Sequence, residues 1–459
     1  MADSRINVAI AGPYHNLFTY KIRSDDAADL IPGCRFLVPF GKSLKVAFYV
    51  EGQTEPVDYR LRYIKERIDT DSPFPTYLFD FCRWISEYYF SGLGETLAAA
   101  LPGSGTRKPK LEYAAADRGY LQIACDSEKT DGVLAAKLLR RQSVSEKVLI
   151  RDKESATIVR EWLARGIIVP RHRQINTRKK SLGYRLLNEH PEANAATMEH
   201  LRKIRPDMIY SRQQLLSEFG FTTYQITKLC KDDTFRKVFD ESGVTELSTY
   251  PIRYDLPGLK LLEGQQQALD QITPAIDEGR FEPFLLFGIT GSGKTMVYCH
   301  AAKRAVEAGR SVLVMVPEIA LSGMLLSSFA AFFGDRVAVM HSGLTASQRQ
   351  IVRHKIASGE IKVVIGPRSA IFAPLAGPGL IIVDEEHDPS YKQDDPAPRY
   401  HGRDAAVMLA NKISCPVILG SASPGIESYH NARSGRYKLL TLDQRPKSGY
   451  IMPEIVTLD

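Results

Sequence analysis

What the chain lacks narrows the field first. No apolar run in its 459 residues reaches the length of a membrane span, and the start Met1-Ala2-Asp3-Ser4-Arg5 has neither a basic n-region nor an apolar h-region. The expected location is the cytoplasm. The six cysteines (Cys34, Cys82, Cys125, Cys230, Cys299, Cys415) are scattered with no CxxC pair, so the sequence offers neither a zinc site nor a disulfide framework. A hydrophobic content of 44% and a charged content of 25% are ordinary for a globular protein. At this length about three or four domains are expected.

What is present begins with Gly288-Ile289-Thr290-Gly291-Ser292-Gly293-Lys294-Thr295, set between the apolar run Phe284–Phe287 and a helical-looking stretch from Met296. This is the pattern of a phosphate-binding loop. Its glycines let several backbone N–H groups point at one phosphate chain, Lys294 is expected to reach the outer phosphates, and Thr295 to offer a hydroxyl to magnesium. About ninety residues on, Leu380-Ile381-Ile382-Val383 reads as a buried parallel strand with Asp384-Glu385-Glu386-His387 at its C-terminal end, where open α/β sheets place ligands. Asp384 would hold the magnesium ion, and Glu385 would orient and deprotonate the attacking water of a phosphoanhydride hydrolysis. An acidic cluster after a strand is by itself more often a solvated loop or helix cap. Its pairing with a phosphate loop decides for the nucleotide reading.

Charge is unevenly spread. The chain carries +7, and residues 101–180 alone hold 18 Lys plus Arg against 9 Asp plus Glu, leaving −2 for the remainder. A basic block beside a nucleotide-binding half points to a polyanionic partner, nucleic acid first, with a merely solubilising surface as the alternative.

Three regions follow. Residues 1–105 read as short strands (Asn7–Ala11, Phe18–Ile22, Cys34–Pro39, Ala47–Val50) and a helix over 75–89, closed by the linker-like run 102–110. Residues 111–250 read as short helices in two faintly repeated units, a winged-helix-like pattern or else one packed bundle. Residues 255–459 alternate apolar strands and helices, which predicts a parallel sheet covered on both faces. The fold class expected is multidomain α/β.

Gln265 before the loop, Val316-Pro317-Glu318-Ile319-Ala320-Leu321 after it, His341-Ser342-Gly343-Leu344, Ile365-Gly366-Pro367-Arg368-Ser369-Ala370, Asp384–His387 and Gly420-Ser421-Ala422-Ser423-Pro424 resemble the ordered motifs of superfamily-two helicases. Their wording is most similar to the primosomal replication-restart helicases, the N-prime family. Phe18-Thr19-Tyr20, Val38-Pro39-Phe40-Gly41-Lys42 and Tyr88-Tyr89 resemble that family's 3′-end-binding domain, so the likeness spans nearly the whole chain and is loose only over 111–250.

The resemblance implies a RecA-like ATPase lobe at 255–459, ATP and magnesium as cofactors, and an ATP-dependent 3′-to-5′ DNA helicase that recognises stalled forks and starts primosome assembly. It implies ATP contacts at Gln265, Gly288, Thr290, Gly291, Ser292, Gly293, Lys294, Thr295 and His387. Gln265 would read the adenine edge with its two-sided amide. DNA contacts are implied at Pro317, Glu318, Arg368 and Ser369, and in the N-terminal domain at Phe18, Thr19, Tyr20, Gly41, Lys42 and Arg62. There, Phe18 would stack the terminal base and Arg62 take phosphate. Forked and single-stranded DNA, a single-stranded-DNA-binding protein and primosome proteins are the partners implied.

Three departures stand out. Thr19 occupies a place where the family has an aspartate for the terminal hydroxyl. Pro398 stands where the aromatic-rich loop 388–401 has a tryptophan, which leaves Tyr391 and Tyr400 to stack on bases. The chain ends at Asp459, ahead of the zinc module and second motor lobe that the family carries, and that lobe's arginine supplies a factor of about a thousand or more in phosphoryl transfer. Rival readings are a non-catalytic DNA-fork-binding adaptor and another superfamily-two DNA translocase.

Overall fold

In a computed structural model, the described residues run from 4 to 444, apart from 24–26, 28, 53–59, 70, 102–110, 126, 128–129, 141–143, 151, 173–180, 187–194, 202–208, 212–214, 217–218, 233, 241–259, 318–322 and 342. The linker-like run 102–110 and Glu318 lie outside them. The chain divides into two units, one of residues 1–73, 92–98 and 103–177, the other of 74–91, 99–102 and 178–459.

The first unit opens with an antiparallel five-stranded sheet in the order β2-β1-β4-β3-β5, from β1 (Ser4–Ile10), β2 (Phe18–Ile22), β3 (Arg35–Phe40), β4 (Ser43–Gly52) and β5 (Glu66–Arg67). Alternation sends Ile6, Val8, Ile10, Tyr20 and Ile22 into one core with Phe36 and Val38. Gly41-Lys42 closes the β3–β4 hairpin between the paired Phe40 and Ser43, with Gly41 in the left-handed region at φ 58°. A second module follows: β6 (Leu111–Ala115) lies between β7 (Val144–Ser145) and β8 (Ile168–His172), both antiparallel to it. Its helices include Thr130–Arg140 and Lys153–Ala164, the latter started by a capping box of Asp152 and Ser155. Leu121, Leu134, Leu138, Val159, Trp162 and Ile168 fill its core.

The second unit contains a module of the same order. Here β9 (Ser181–Leu186) lies between β10 (Ile209–Ser211) and β11 (Phe235–Asp240), with helices Ala195–Leu201 and Thr223–Lys231 and a core of Tyr184, Leu201, Leu215, Phe221, Ile226 and Phe235. In both modules the first strand takes the central place and helices separate it from its partners. The two modules share that order of strands and helices.

The rest of the second unit is a lobe built on a seven-stranded parallel sheet in the order β14-β15-β13-β16-β17-β12-β18. Its strands are β12 (Pro283–Gly288), β13 (Ser311–Met315), β14 (Val337–Val339), β15 (Val363–Gly366), β16 (Pro378–Val383), β17 (Val417–Ser421) and β18 (Lys438–Leu442). Val312 to Met315 and Leu380 to Val383 are wholly buried, as continuous apolar strands must be when helices cover both faces. The helices Glu263–Glu278 and Lys294–Glu307 bury Ile272, Ile276, Val297 and Ala301 in the same core as Phe284 and Leu286. The helix Thr76–Tyr88, grouped with the N-terminal strands by its place in the sequence, packs on this lobe instead: Tyr77 donates its hydroxyl to the Leu375 carbonyl at 3.2 Å, and Phe81 meets Phe372 at 6.3 Å.

Candidate functional site

The C-terminal ends of β12, β16 and β17 gather the nucleotide motifs. β12 runs straight into the phosphate loop, and the helix Lys294–Glu307 leaves it, so the positive end of that helix's dipole lies at the loop. Gly291 and Gly293 take φ of 81° and 82°, and Gly293 is the helix cap. A side chain at 293 would collide with the Gln265 amide. Gln265, 4% exposed, donates Nε2–H to the Ser292 carbonyl at 2.9 Å and accepts from the Leu262 N–H at 2.9 Å. Its amide braces the loop, and one N–H and one lone pair stay in hand for a base edge. Lys294 is buried with Nζ 2.8 Å from the Gly288 carbonyl, and Ser292 Oγ is buried with no partner. An orphaned hydroxyl, a buried ammonium and helix N–H groups around one glycine-rich turn fit a phosphate chain.

Asp384 stands at the end of β16. The Tyr298 hydroxyl donates to its Oδ1 at 2.9 Å, and the Tyr391 hydroxyl donates to its carbonyl at 2.6 Å. Burial raises the Asp384 carboxyl to about 6; the Tyr298 hydrogen bond and Lys294 pull it down, while Glu385 pushes it up. A carboxylate so placed gains from a cation, which is the role expected of a magnesium ligand. Among the described residues no group of three or more His, Cys, Asp or Glu forms a metal cluster. Glu385 sits in the left-handed region at φ 45°. Its Oε2 lies 3.7 Å from His387 Nδ1, which in turn is 2.7 Å from Ser421 Oγ, while Ser423 Oγ approaches Nε2 at 3.3 Å.

Sequence reasoning passed over several residues of this site. Glu386 is fully buried and accepts from the Gly425 N–H (2.7 Å), Ser428 Oγ (2.7 Å) and Arg403 (3.3 Å), strapping the acidic motif to the helix Ile426–Arg433 and to the helix Gly402–Lys412. Tyr298 and Gly420 form a second strap, since a Cβ at 420 would lie 2.7 Å from Tyr298 Cζ. Tyr298 stands one helical turn after Lys294, and that spacing was the one signal available.

Two expectations for the DNA surface are corrected. Tyr391 and Tyr400 are each 1% exposed and cannot stack on bases; Tyr391 is bonded to Asp384, and Tyr400 donates to the Arg368 carbonyl at 3.2 Å. Their rings fill the apolar space beneath the loop 388–401, where burial outweighs exposure once each hydroxyl has an acceptor. Arg368 is turned to that loop as well, donating from one nitrogen to the carbonyls of Ser390 (2.9 Å) and Lys392 (2.7 Å), with its other donors left for phosphate. Pro317 is buried and Ser369 exposed.

In the first unit, Phe18, half-buried, meets Phe40 edge-on at 5.2 Å beside Tyr14. Arg62 donates to the Gly41 carbonyl at 3.2 Å, next to the exposed Lys42. Tyr20 is buried and donates to the Pro39 carbonyl. Thr19 points away from these rings, its hydroxyl donating to Asn7 Oδ1 at 2.8 Å, because successive residues of β2 face opposite sides. The structure brings Phe18, Phe40, Gly41 and Arg62 to one end of the sheet and leaves the Thr19 side chain off it.

Comparison with known proteins agrees with this geometry. Residues 7–102 match the family model described as a 3′DNA-binding domain, and residues 258–425 match one described as Type III restriction enzyme, res subunit. The chain is 32% identical over 462 residues to the replication restart protein PriA of Bacillus subtilis (strain 168), covering 96% of this chain and 55% of the relative. It is 31% identical over 451 residues to that of Haemophilus influenzae (strain ATCC 51907 / DSM 11121 / KW20 / Rd), covering 96% and 52%. Over 171 residues it is 46% identical to that of Synechocystis sp. (strain ATCC 27184 / PCC 6803 / Kazusa), covering 37% and 20%. The resemblance to replication restart proteins therefore extends along nearly the whole chain, which spans about half the length of the curated relatives it matches in full.

Proposed function

We propose that this chain, similar over nearly its whole length to replication restart proteins, is the DNA-binding and first motor portion of an ATP-dependent 3′-to-5′ DNA helicase that recognises stalled replication forks and initiates primosome assembly. The observation that carries the reading is the convergence of a phosphate loop and the Asp384–His387 motif at one edge of a parallel sheet, on a chain whose residues 7–102 match a 3′DNA-binding domain. ATP with magnesium would supply the phosphoanhydride and the cation. Lys294 and Thr295 hold the phosphate end, Asp384 holds the cation, and Glu385 orients water. His387 carries the nucleotide state to Ser421 and Ser423, the contacts it already makes. Forked and single-stranded DNA, a single-stranded-DNA-binding protein and primosome proteins are the partners in this reading, and the cytoplasm is its place. Among the described residues no helix is long and apolar enough to cross a membrane.

In the N-terminal sheet, Phe18 and Phe40 stack the terminal base while Arg62 and Lys42 meet phosphate. Thr19 contributes by its backbone, since its side chain faces away. The test is twofold. The chain should bind ATP only with magnesium, lose that affinity in Lys294→Ala and keep it in Glu385→Gln, whose carboxylate serves water and not binding. It should also prefer DNA with a free 3′ hydroxyl over the same DNA with a 3′ phosphate at matched salt. Equal affinity for the two DNA ends removes 3′-end capture; nucleotide binding that survives Lys294→Ala removes the motor assignment.

A further inference from the structure

We propose that the exposed end of the helix Thr76–Tyr88 is a stacking platform for the bases of single-stranded DNA, built by Trp84, Tyr88, Tyr89 and Phe90 and edged by Lys392. The inference rests on the DNA-motor reading and adds the surface that takes the bases. Phe81 and Trp84 stack at 6.0 Å and 17°, and Trp84 and Tyr88 at 5.0 Å and 23°. The three rings form a column that rises from buried Phe81 to Tyr88, which is 61% exposed. Tyr89 stands edge-on to both Trp84 and Tyr88, at 6.1 and 4.9 Å. Phe90, 87% exposed, follows in the left-handed region at φ 50°, the place after a helix where glycine is usual. Hydrogen bonds from the Ser91 N–H to the Ser86 carbonyl and from Ser86 Oγ to the Ser91 carbonyl hold that turn. A large apolar ring kept in water on a strained backbone is a cost that packing among the described residues does not offset.

The occupant is argued from the chemistry at the rim. An open ring face takes any base, because every base has a π-face, and the phosphates between bases want cations. The Lys392 ammonium lies 5.9 Å from the Tyr89 centroid and is bonded to the carbonyl of Arg399, itself exposed. The neighbouring carboxylate Asp404 is already paired with Arg403 at 2.8 Å. The platform is also tied to the nucleotide site. Lys392 belongs to the loop that Arg368 clasps through the Lys392 and Ser390 carbonyls and that Tyr391 bonds to Asp384. A base lodged against Tyr89 and Lys392 bears on the loop that holds the backbone carbonyl of Asp384. This gives the loop the base contact that buried Tyr391 and Tyr400 cannot make.

The chain carries its own reporter, since its only other tryptophan, Trp162, is 3% exposed in the core of a separate module. Adding a short oligo(dT) should quench the emission of Trp84, and the quench should vanish in Trp84→Phe. Tyr88→Ala and Phe90→Gly should each weaken oligo(dT) affinity on the order of tenfold, the loss expected for one stacking ring. Glycine suits the left-handed backbone at 90, so this second variant keeps the fold and leaves magnesium-ATP affinity unchanged. Oligo(dT) shown by anisotropy to be bound with no change in Trp84 emission, or bound equally well by both variants, overturns the platform while the DNA-motor reading stands. Unchanged oligo(dT) affinity together with weakened association of a downstream segment of a longer chain assigns the patch to protein and overturns it too. No binding of any DNA by the chain removes the motor reading itself.

Discussion

The Tyr298 hydroxyl lies 2.9 Å from Asp384 Oδ1, and it reaches that place because residue 420 is glycine. Burial, and then the charge of Asp384, hold Tyr298 in its protonated, donating form. The pair links the helix that leaves the phosphate loop to the strand end that carries the acidic motif, across a separation of 86 residues. A loop and a carboxylate on strands that are not neighbours are thereby fixed relative to each other. β17, which lies between those strands, supplies the gap at Gly420 through which the bond is made.

Substitution on either side of this bond should be felt. Tyr298→Phe leaves a buried carboxylate oxygen without its donor and should cost about 1–3 kcal/mol. Gly420→Ala forces the ring aside and should cost a comparable amount, about 1–3 kcal/mol, through overpacking. Because the ring lies over Gly420, the double variant Tyr298→Ala/Gly420→Ala should be less destabilised than Tyr298→Ala and Gly420→Ala together, these three and the parent making one cycle. Urea titrations of the four proteins measure the coupling, and strict additivity would show that the ring does not occupy the space over Gly420.

Glu386 gives the sharpest stability prediction. Its wholly buried carboxylate neutralises Arg403, which is only 13% exposed, and also takes Ser428 and the Gly425 N–H. Glu386→Ala leaves Arg403 with Asp404 alone and takes the acceptor from the Gly425 N–H and the buried Ser428 hydroxyl, and should cost about 1–3 kcal/mol for each buried donor left without a partner. Glu386→Gln keeps an acceptor for the Gly425 N–H and should cost visibly less. A thermal melt in which the two variants unfold together at the parent's temperature would mean that the strap is not formed.

What could be read in the sequence and what could not divides by range. The phosphate loop was legible because strand, loop and helix are consecutive, and Asp384 because four apolar residues announce a buried strand whose end must face the ligand edge. Glu386 looked like its solvated neighbours, since nothing nearby in the chain shows that Arg403 and Ser428 will close over it. Tyr391 and Tyr400 misled for the same reason: an aromatic in an irregular loop reads alike whether its ring turns in or out. In β2, period two did place Thr19 opposite Phe18, but a motif read as a string hides which face each residue takes. The helix Thr76–Tyr88 showed its apolar stripe plainly, yet a stripe does not name its partner, and Phe372 lies some three hundred residues away.

One acid-sensitive contribution to stability can be assigned a direction. His300 packs edge-on to Phe332 at 5.2 Å with Nε2 buried and unpartnered, and burial, with Lys303 adding to it, holds its pKa below 6.5. The fold therefore prefers the neutral ring. That preference is fully expressed above about pH 6.5, and stability is lost as pH falls below 6.5, where the unfolded chain takes up a proton that the folded one refuses. The pH dependence of urea unfolding midpoints should be shallower in His300→Phe than in the parent between pH 6.5 and the lower folded value. Identical slopes would place His300 in contact with solvent.

The loop 388–401 offers the clearest separation of structure from binding. Tyr391 gives its hydroxyl to Asp384 and Tyr400 gives its hydroxyl to Arg368, while neither ring reaches solvent. Tyr391→Phe and Tyr400→Phe remove one buried hydrogen bond apiece and should each cost about 1–2 kcal/mol of stability. Neither removes a surface that a base could touch, so oligo(dT) affinity at low temperature, where all variants stay folded, should equal the parent's. Tyr391→Phe should in addition weaken magnesium-dependent nucleotide binding, because the Asp384 backbone carbonyl loses its tyrosine anchor and only the Tyr298 bond to the side chain is left, whereas Tyr400→Phe should not. If either variant lost oligo(dT) affinity while its melting temperature stayed unchanged, its ring would have to swing out to meet DNA, and the burial seen here would describe only the loop's closed arrangement.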